Sequence, residues 1–318
     1  HKAITENIGF PPPSSMLYGQ DRELYQCMLD CWYEIAKWQA NALRYMIEQE
    51  GVDVIFSHYH GPDLEGHEYM KYLKQRENSP QSEEELLKRA EATYQLTDEY
   101  IGRFIPYIDK GYVLNIFSDH ALICREGDNH FIGDNYGLNT GVLAQLGYTA
   151  ITQDEKGRPM IDWEHTTAVS QRSGYIYVNL KGREPHGIVE PADYEATLDK
   201  IIDALYAYRD PQTHERIVDA ILKPAAMEAV GLYGEHVGDL YFTLHHHFCQ
   251  DHASSFSSEE AYGFSMRCLF FAAGPGVKKN TVMERRVRQV DIVPTICALQ
   301  EGPVPDKCEG GIIYQMIE

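Results

Sequence analysis

The run Phe56-Ser-His-Tyr-His-Gly-Pro-Asp63-Leu-Glu-Gly-His67 carries more chemistry than any other part of the chain. It continues Val52-Asp-Val-Ile-Phe56, a short apolar run of the kind found in buried parallel strands. Pro62 suits the first turn of a helix, and residues four apart share a helix face. Asp63 and His67 are therefore expected side by side, just past the C-terminal end of a strand. A carboxylate and an imidazole at that spacing form a ligand pair suited to zinc or manganese. Alone, the Asp-x-x-x-His pattern describes a surface Asp with a capping His equally well.

Two later stretches repeat the theme. Tyr112-Val-Leu-Asn-Ile-Phe-Ser118 reads as a buried strand and ends in Asp119-His120. Adjacent side chains of a regular strand point apart, so both reach one site only where the strand is ending. Asp251-His252 precedes Met266-Arg-Cys-Leu-Phe-Phe-Ala-Ala-Gly-Pro-Gly276, a strand running into a glycine turn. Asp/His pairs at strand ends form a cluster where open α/β sheets bind their ligands.

The 318 residues suffice for one large domain or two smaller ones, and an apolar content of 43% supports a core. No apolar run approaches the roughly 20 residues of a membrane span, and no membrane partner is expected. No secretory signal is visible at the start. Lys and Arg number 28 against 48 Asp and Glu, a formal charge of −20. A nucleic-acid polymer is therefore not an expected partner, because phosphate chains need a basic face. A small phosphorylated substrate is compatible with the acidity, since bound divalent cations reverse the local field. Seven cysteines without a Cys-x-x-Cys, two of them (Cys27 and Cys31) on one helix face, read as reduced thiols of a cytoplasmic protein.

Apolar positions Leu24, Met28, Cys31, Ile35, Trp38, Ala42 and Tyr45 predict a helix across Asp21 to Glu50, closed by Gly51. Ser82-Glu-Glu-Glu85 is a capping box that opens a helix through about Ile108. Strand, helix and strand in this order predict a right-handed parallel crossover from 52–57 to 112–118. Residues from about 121 to 174 are rich in Gly, Asn, Asp and Thr and read as an inserted cap region. Tyr175 to Asn179 reads as a strand, Pro191 to Tyr208 as an amphipathic helix, and Asp291 to Leu299 as a helix with Pro in its first turn.

Taken in order, five phrases resemble the alkaline phosphatase superfamily, in its type I phosphodiesterase/nucleotide pyrophosphatase branch. They are Gly61-Pro-Asp63-Leu-Glu-Gly-His67, Phe117-Ser-Asp119-His120, Tyr177-Val-Asn-Leu-Lys-Gly-Arg-Glu-Pro185, Ala273-Gly-Pro-Gly-Val-Lys278 and Asp291-Ile-Val-Pro-Thr295. The resemblance implies an α/β fold with a mostly parallel central sheet, helices on both faces and an inserted cap. It implies two divalent metal ions, zinc ahead of manganese. One would be held by Asp63, His67 and His252, the other by Asp119 and His120. Such ions, about 4 Å apart, clamp the attacking and leaving oxygens of an in-line displacement at phosphorus. His245, His246 and His247 compete with His252, because the gap before the Gly-Pro turn is long and Ala253 stands where Gly is common. His58 and His60 would touch a phosphoryl oxygen or orient a ligand, or else point back into the loop layer. Arg183, with Lys181, would bind the substrate's anionic tail, or would close a turn on a neighbouring Asp.

The family's second ion also takes an Asp near the first strand and contacts a Ser or Thr nucleophile, both upstream of the matching phrases. Neither is found in His1 to Gln20, where Pro11-Pro-Pro-Ser14-Ser15 reads as a loop. Residues 1–318 are thus expected to be the C-terminal portion of a single catalytic domain. Its open sheet edges would favour self-association. The expected activity is metal-dependent hydrolysis of phosphoric esters, of phosphodiesterase, pyrophosphatase or phosphatase type. Phosphonate hydrolysis or phosphomutase transfer on the same scaffold, and a non-catalytic metal-binding fragment, are the alternatives.

Overall fold

A computed structural model of the chain describes residues 1–12, 25–66, 82–121, 141–170, 174–245 and 267–318. In chain order its elements begin with α1 (Lys2–Asn7), α2 (Tyr25–Glu48), α3 (Glu83–Gly102), β1 (Leu114–Phe117) and α4 (Gly141–Gln145). They continue with β2 (Ile151–Gln153), β3 (Pro159–Ile161), β4 (Ala168–Ser170), β5 (Tyr175–Val178) and α5 (Tyr194–Ala207). Last come β6 (Val218–Leu222), α6 (Pro224–Ala229), β7 (Leu240–Leu244), β8 (Phe270–Ala273) and α7 (Ile292–Leu299). The chain divides into two compact units, His1–Cys124 with Phe264–Glu318, and Arg125–Gly263.

In the first unit, Met28, Trp32, Ala36 and Ala40 are buried along α2. Four-residue spacing makes this one continuous stripe, turned slightly from the expected Met28–Cys31–Ile35–Trp38 line. Gly51 ends the helical segment at φ +65°, a conformation that suits glycine. The capping box of α3 is formed: Ser82 Oγ accepts from the Glu85 amide, and Glu85 Oε2 accepts from the Ser82 amide at 2.9 Å. Small Ala36 and Ala40 on α2 share a cluster with Tyr100, against which Leu43, Tyr59, Leu96 and Phe104 pack.

Residues 52–57 correct the expectation of a buried strand. They form no ladder among the described residues, and Val54 and Phe56 are 65% and 83% exposed. An apolar run has strand propensity, but a strand exists only where another backbone pairs with its N–H and C=O groups. Held in place by side chains instead, this segment has Ser57 Oγ and the His58 carbonyl accepting from Gln39 Nε2 at 2.8 and 2.7 Å.

The parallel crossover is corrected with it. β1 pairs antiparallel with β8, Leu114 opposite Ala273 and Phe117 opposite Phe270. Every strand pair in the named sheets of the described residues is antiparallel. β8 runs into Gly274 and Gly276, both at positive φ, as its glycine turn requires. A cluster of Val277, Ile313 and Met316 packs with Val113, Phe270 and Leu299 beneath this pair.

The second unit has its own core. Its four-stranded antiparallel sheet runs β4-β5-β7-β6. Leu198, Ile201 and Leu205 of α5 are fully buried in one cluster with Ile176 and Val178 of β5 and Leu240 and Phe242 of β7. The unit spans Arg125–Gly263, and β4, which falls within the expected 121–174 region, joins the sheet of β5, β7 and β6. Among the described residues no helix is long and apolar enough to cross a membrane.

Candidate functional site

Tyr59 fixes the approach to the site. Its ring stacks on Tyr100 with centroids 4.6 Å apart and meets Trp32 edge-on at 6.2 Å. Burial pushes its hydroxyl well above the ordinary tyrosine range. The chain then turns at Gly61, where an added Cβ would lie 2.7 Å from Tyr59 Oη. Helical turns occupy 61–66, opened by the Leu64 amide donating to the His60 carbonyl. Gly61→Ala is expected to displace the stacked ring and to lower stability by about 1–3 kcal/mol, the usual cost of overpacking. Urea denaturation followed by tyrosine fluorescence measures this, and an unchanged midpoint would contradict the packing described.

The helical turn carries Asp63 to the end of β1. One carboxylate oxygen, Oδ2, takes His60 Nε2 at 2.7 Å, while Oδ1 lies 3.2 Å from His120 Nε2. The far side of the His120 ring bears on that second contact. Nδ1 lies 3.1 Å from the Ala121 carbonyl, an acceptor, and the tautomer with the proton on Nδ1 suits that contact. That tautomer leaves Nε2 as the ring's ligand atom, whereas the protonated ring makes an ion pair with Asp63. Two ligand atoms about 2.0–2.1 Å from a tetrahedral ion stand roughly 3.3 Å apart. Asp63 Oδ1 and His120 Nε2 thus fit a shared divalent ion in donor type and separation.

Asp119 stands at the same place, with Oδ1 accepting from the His120 amide at 3.2 Å and lying 4.0 Å from His120 Nε2. The strand end is held from the other side of the sequence. Gln289 Nε2 donates to the Ser118 and Asp119 carbonyls, 2.6 Å each. Gln289 is set in turn by Asp291, whose carboxylate accepts from the Arg288 and Gly311 amides at 3.0 and 2.9 Å. Those hydrogen bonds hold the Asp291 carboxyl below its usual range. Gln289→Ala is expected to cost about 1 kcal/mol of stability. Urea denaturation checks it, an unchanged midpoint being the contrary result.

Four of the expected residues are thus brought together: His60, Asp63, Asp119 and His120. His58 is exposed beside them, its ring 4.9 Å from that of His60. His67 and His252, with His246 and His247, lie outside the described residues, while His245 follows β7 in the second unit. Among the described residues no three His, Cys, Asp or Glu side chains are arranged to hold a metal ion. Arg183 takes the second of its two roles. Its Nη1 and Nη2 grip Asp239 at 2.6 and 2.7 Å, and its Nε meets Glu184 at 2.8 Å. Asp239 also accepts from the Val178 amide and the Tyr194 hydroxyl, joining β5, β7 and α5. Gln289 had no signal in the sequence, since it meets Ser118 across 171 positions and belongs to no motif.

No protein-family model matches the chain, and no curated protein matches it. Among solved structures it is similar to a crystal structure of the wild-type alkaline phosphatase PafA, with a TM-score of 0.56 and 14% sequence identity. The match covers 91% of this chain and 53% of that one, so the chain spans about half the length of the phosphatase it resembles. The shared property is an alkaline-phosphatase-like fold of mixed helices and sheets.

Proposed function

We propose that the chain contributes the Asp/His face of a metal-dependent phosphoric ester hydrolase. The observation that carries this is the 3.2 Å approach of Asp63 Oδ1 to His120 Nε2, with Asp119 beside them. The likeness to an alkaline phosphatase fold supports it. Asp63, Asp119 and His120 would hold divalent ions, zinc ahead of manganese, with His67 and His252 as further ligands. Such ions supply positive charge to the oxygens of an in-line displacement at phosphorus. His60 orients the Asp63 carboxylate through its 2.7 Å contact. The Ala121 carbonyl, 3.1 Å from His120 Nδ1, suits the tautomer that would offer Nε2 to an ion. The substrate is a small phosphorylated molecule, a diester or pyrophosphate before a monoester.

The test compares hydrolysis of chromogenic phosphodiester, phosphomonoester and phosphonate substrates by the full-length gene product, with and without Asp119→Asn. Zinc-dependent hydrolysis lost in the variant is the expected result. Equal turnover in both proteins would remove Asp119 from the site, and cleavage of the phosphonate alone would move the protein to the other chemistry.

A further inference from the structure

Two residues beyond Asp63, a buried ion pair joins the site's helical turn to α3. Glu65 is fully buried and its Oε2 accepts from Arg89 Nε at 2.7 Å. Arg89 lies on α3 and is 3% exposed. Residues two apart on a helix point roughly 200° apart. The face that carries Glu65 is therefore fixed to α3, and the opposite face presents Asp63 to His60 and His120. An exposed pair here would contribute little. A buried one is seldom needed for stability, since apolar side chains of similar volume often serve as well. What a guanidinium–carboxylate contact adds is direction, because the planar donor fork admits few orientations.

We infer that Glu65 and Arg89 are positioning residues that aim the Asp63 carboxylate and thereby set the affinity of the ion site. This rests on the reading of Asp63 and His120 as ion ligands. The pair is replaceable as a unit where stability is concerned, and not where ion binding is concerned.

The experiment titrates the purified protein with Co²⁺, followed by its visible absorption, alongside thermal unfolding. Four proteins are compared: the unaltered chain, Asp63→Asn, the double variant Glu65→Leu/Arg89→Met, and Arg89→Lys. The double variant is expected to unfold within a few degrees of the unaltered chain, yet to bind Co²⁺ about 10–100-fold more weakly with an altered spectrum. Arg89→Lys keeps the charge but not the planar fork, and is expected to bind about 10-fold more weakly. Should the double variant fail to fold, Arg89→Lys decides the question. Unaltered affinity and spectrum in whichever of these variants fold overturn the positioning role, while loss of binding in Asp63→Asn leaves the ion site standing. No Co²⁺ binding by the unaltered chain, or unchanged binding in Asp63→Asn, overturns both.

Discussion

Under the proposed function, Asp63→Asn is expected to lower phosphoesterase turnover by about 10²–10³-fold, the scale of removing one electrostatic group from a preorganised site. The substitution is nearly isosteric, and the Asp63 side chain is about 15% exposed at the junction of two histidines. Its main effect is the loss of one negative charge. The amide oxygen still faces His120 Nε2, but it would no longer offset the charge of the proposed divalent ion, and its contact with His60 is no longer charge-assisted. Thermal unfolding should move by only a few degrees. The measurement is kcat/KM at saturating zinc on the full-length gene product, with unfolding followed in parallel. Turnover within a factor of two of the unaltered protein would sink the assignment of Asp63.

Arg89→Met acts on the neighbouring residue and gives the opposite pattern. It leaves the Glu65 carboxylate fully buried without the guanidinium it meets at 2.7 Å. Breaking a buried pair from one side costs about 3–5 kcal/mol. For a folding unit of this size that corresponds to roughly 6–20 °C in unfolding midpoint. Calorimetry on the single and double variants separates the effects: the single variant is strongly destabilised, and the added Glu65→Leu restores most of the loss. A single variant as stable as the unaltered chain would show that water reaches the pair.

The helices were legible because their signals are local. The Ser82/Glu85 capping box, the α2 stripe and the glycine stop at Gly51 all act within a few residues. Asp63, Asp119 and His120 were named from Asp/His pairing at two expected strand ends; only the second of those strands is formed, and the structure brings the three side chains near one another. The strand at 52–57 was misread for a physical reason. Val52 to Phe56 has the composition of a buried strand, but it has no partner strand among the described residues. The direction of the β1–β8 pair was equally invisible. Leu114 to Phe117 and Phe270 to Ala273 read alike whichever way they run.

By itself, then, the sequence determined which residue types could bind an ion and where helices begin and stop, because composition, spacing and capping are properties of neighbours along the chain. The tertiary structure decided the rest. It placed Asp63 Oδ1 3.2 Å from His120 Nε2. It gave Arg183 to Asp239, Gln289 to the Asp119 carbonyl and Arg89 to Glu65. Each of these contacts joins residues far apart in the chain. Their geometry is set by how helices and strands pack, and no local pattern records it.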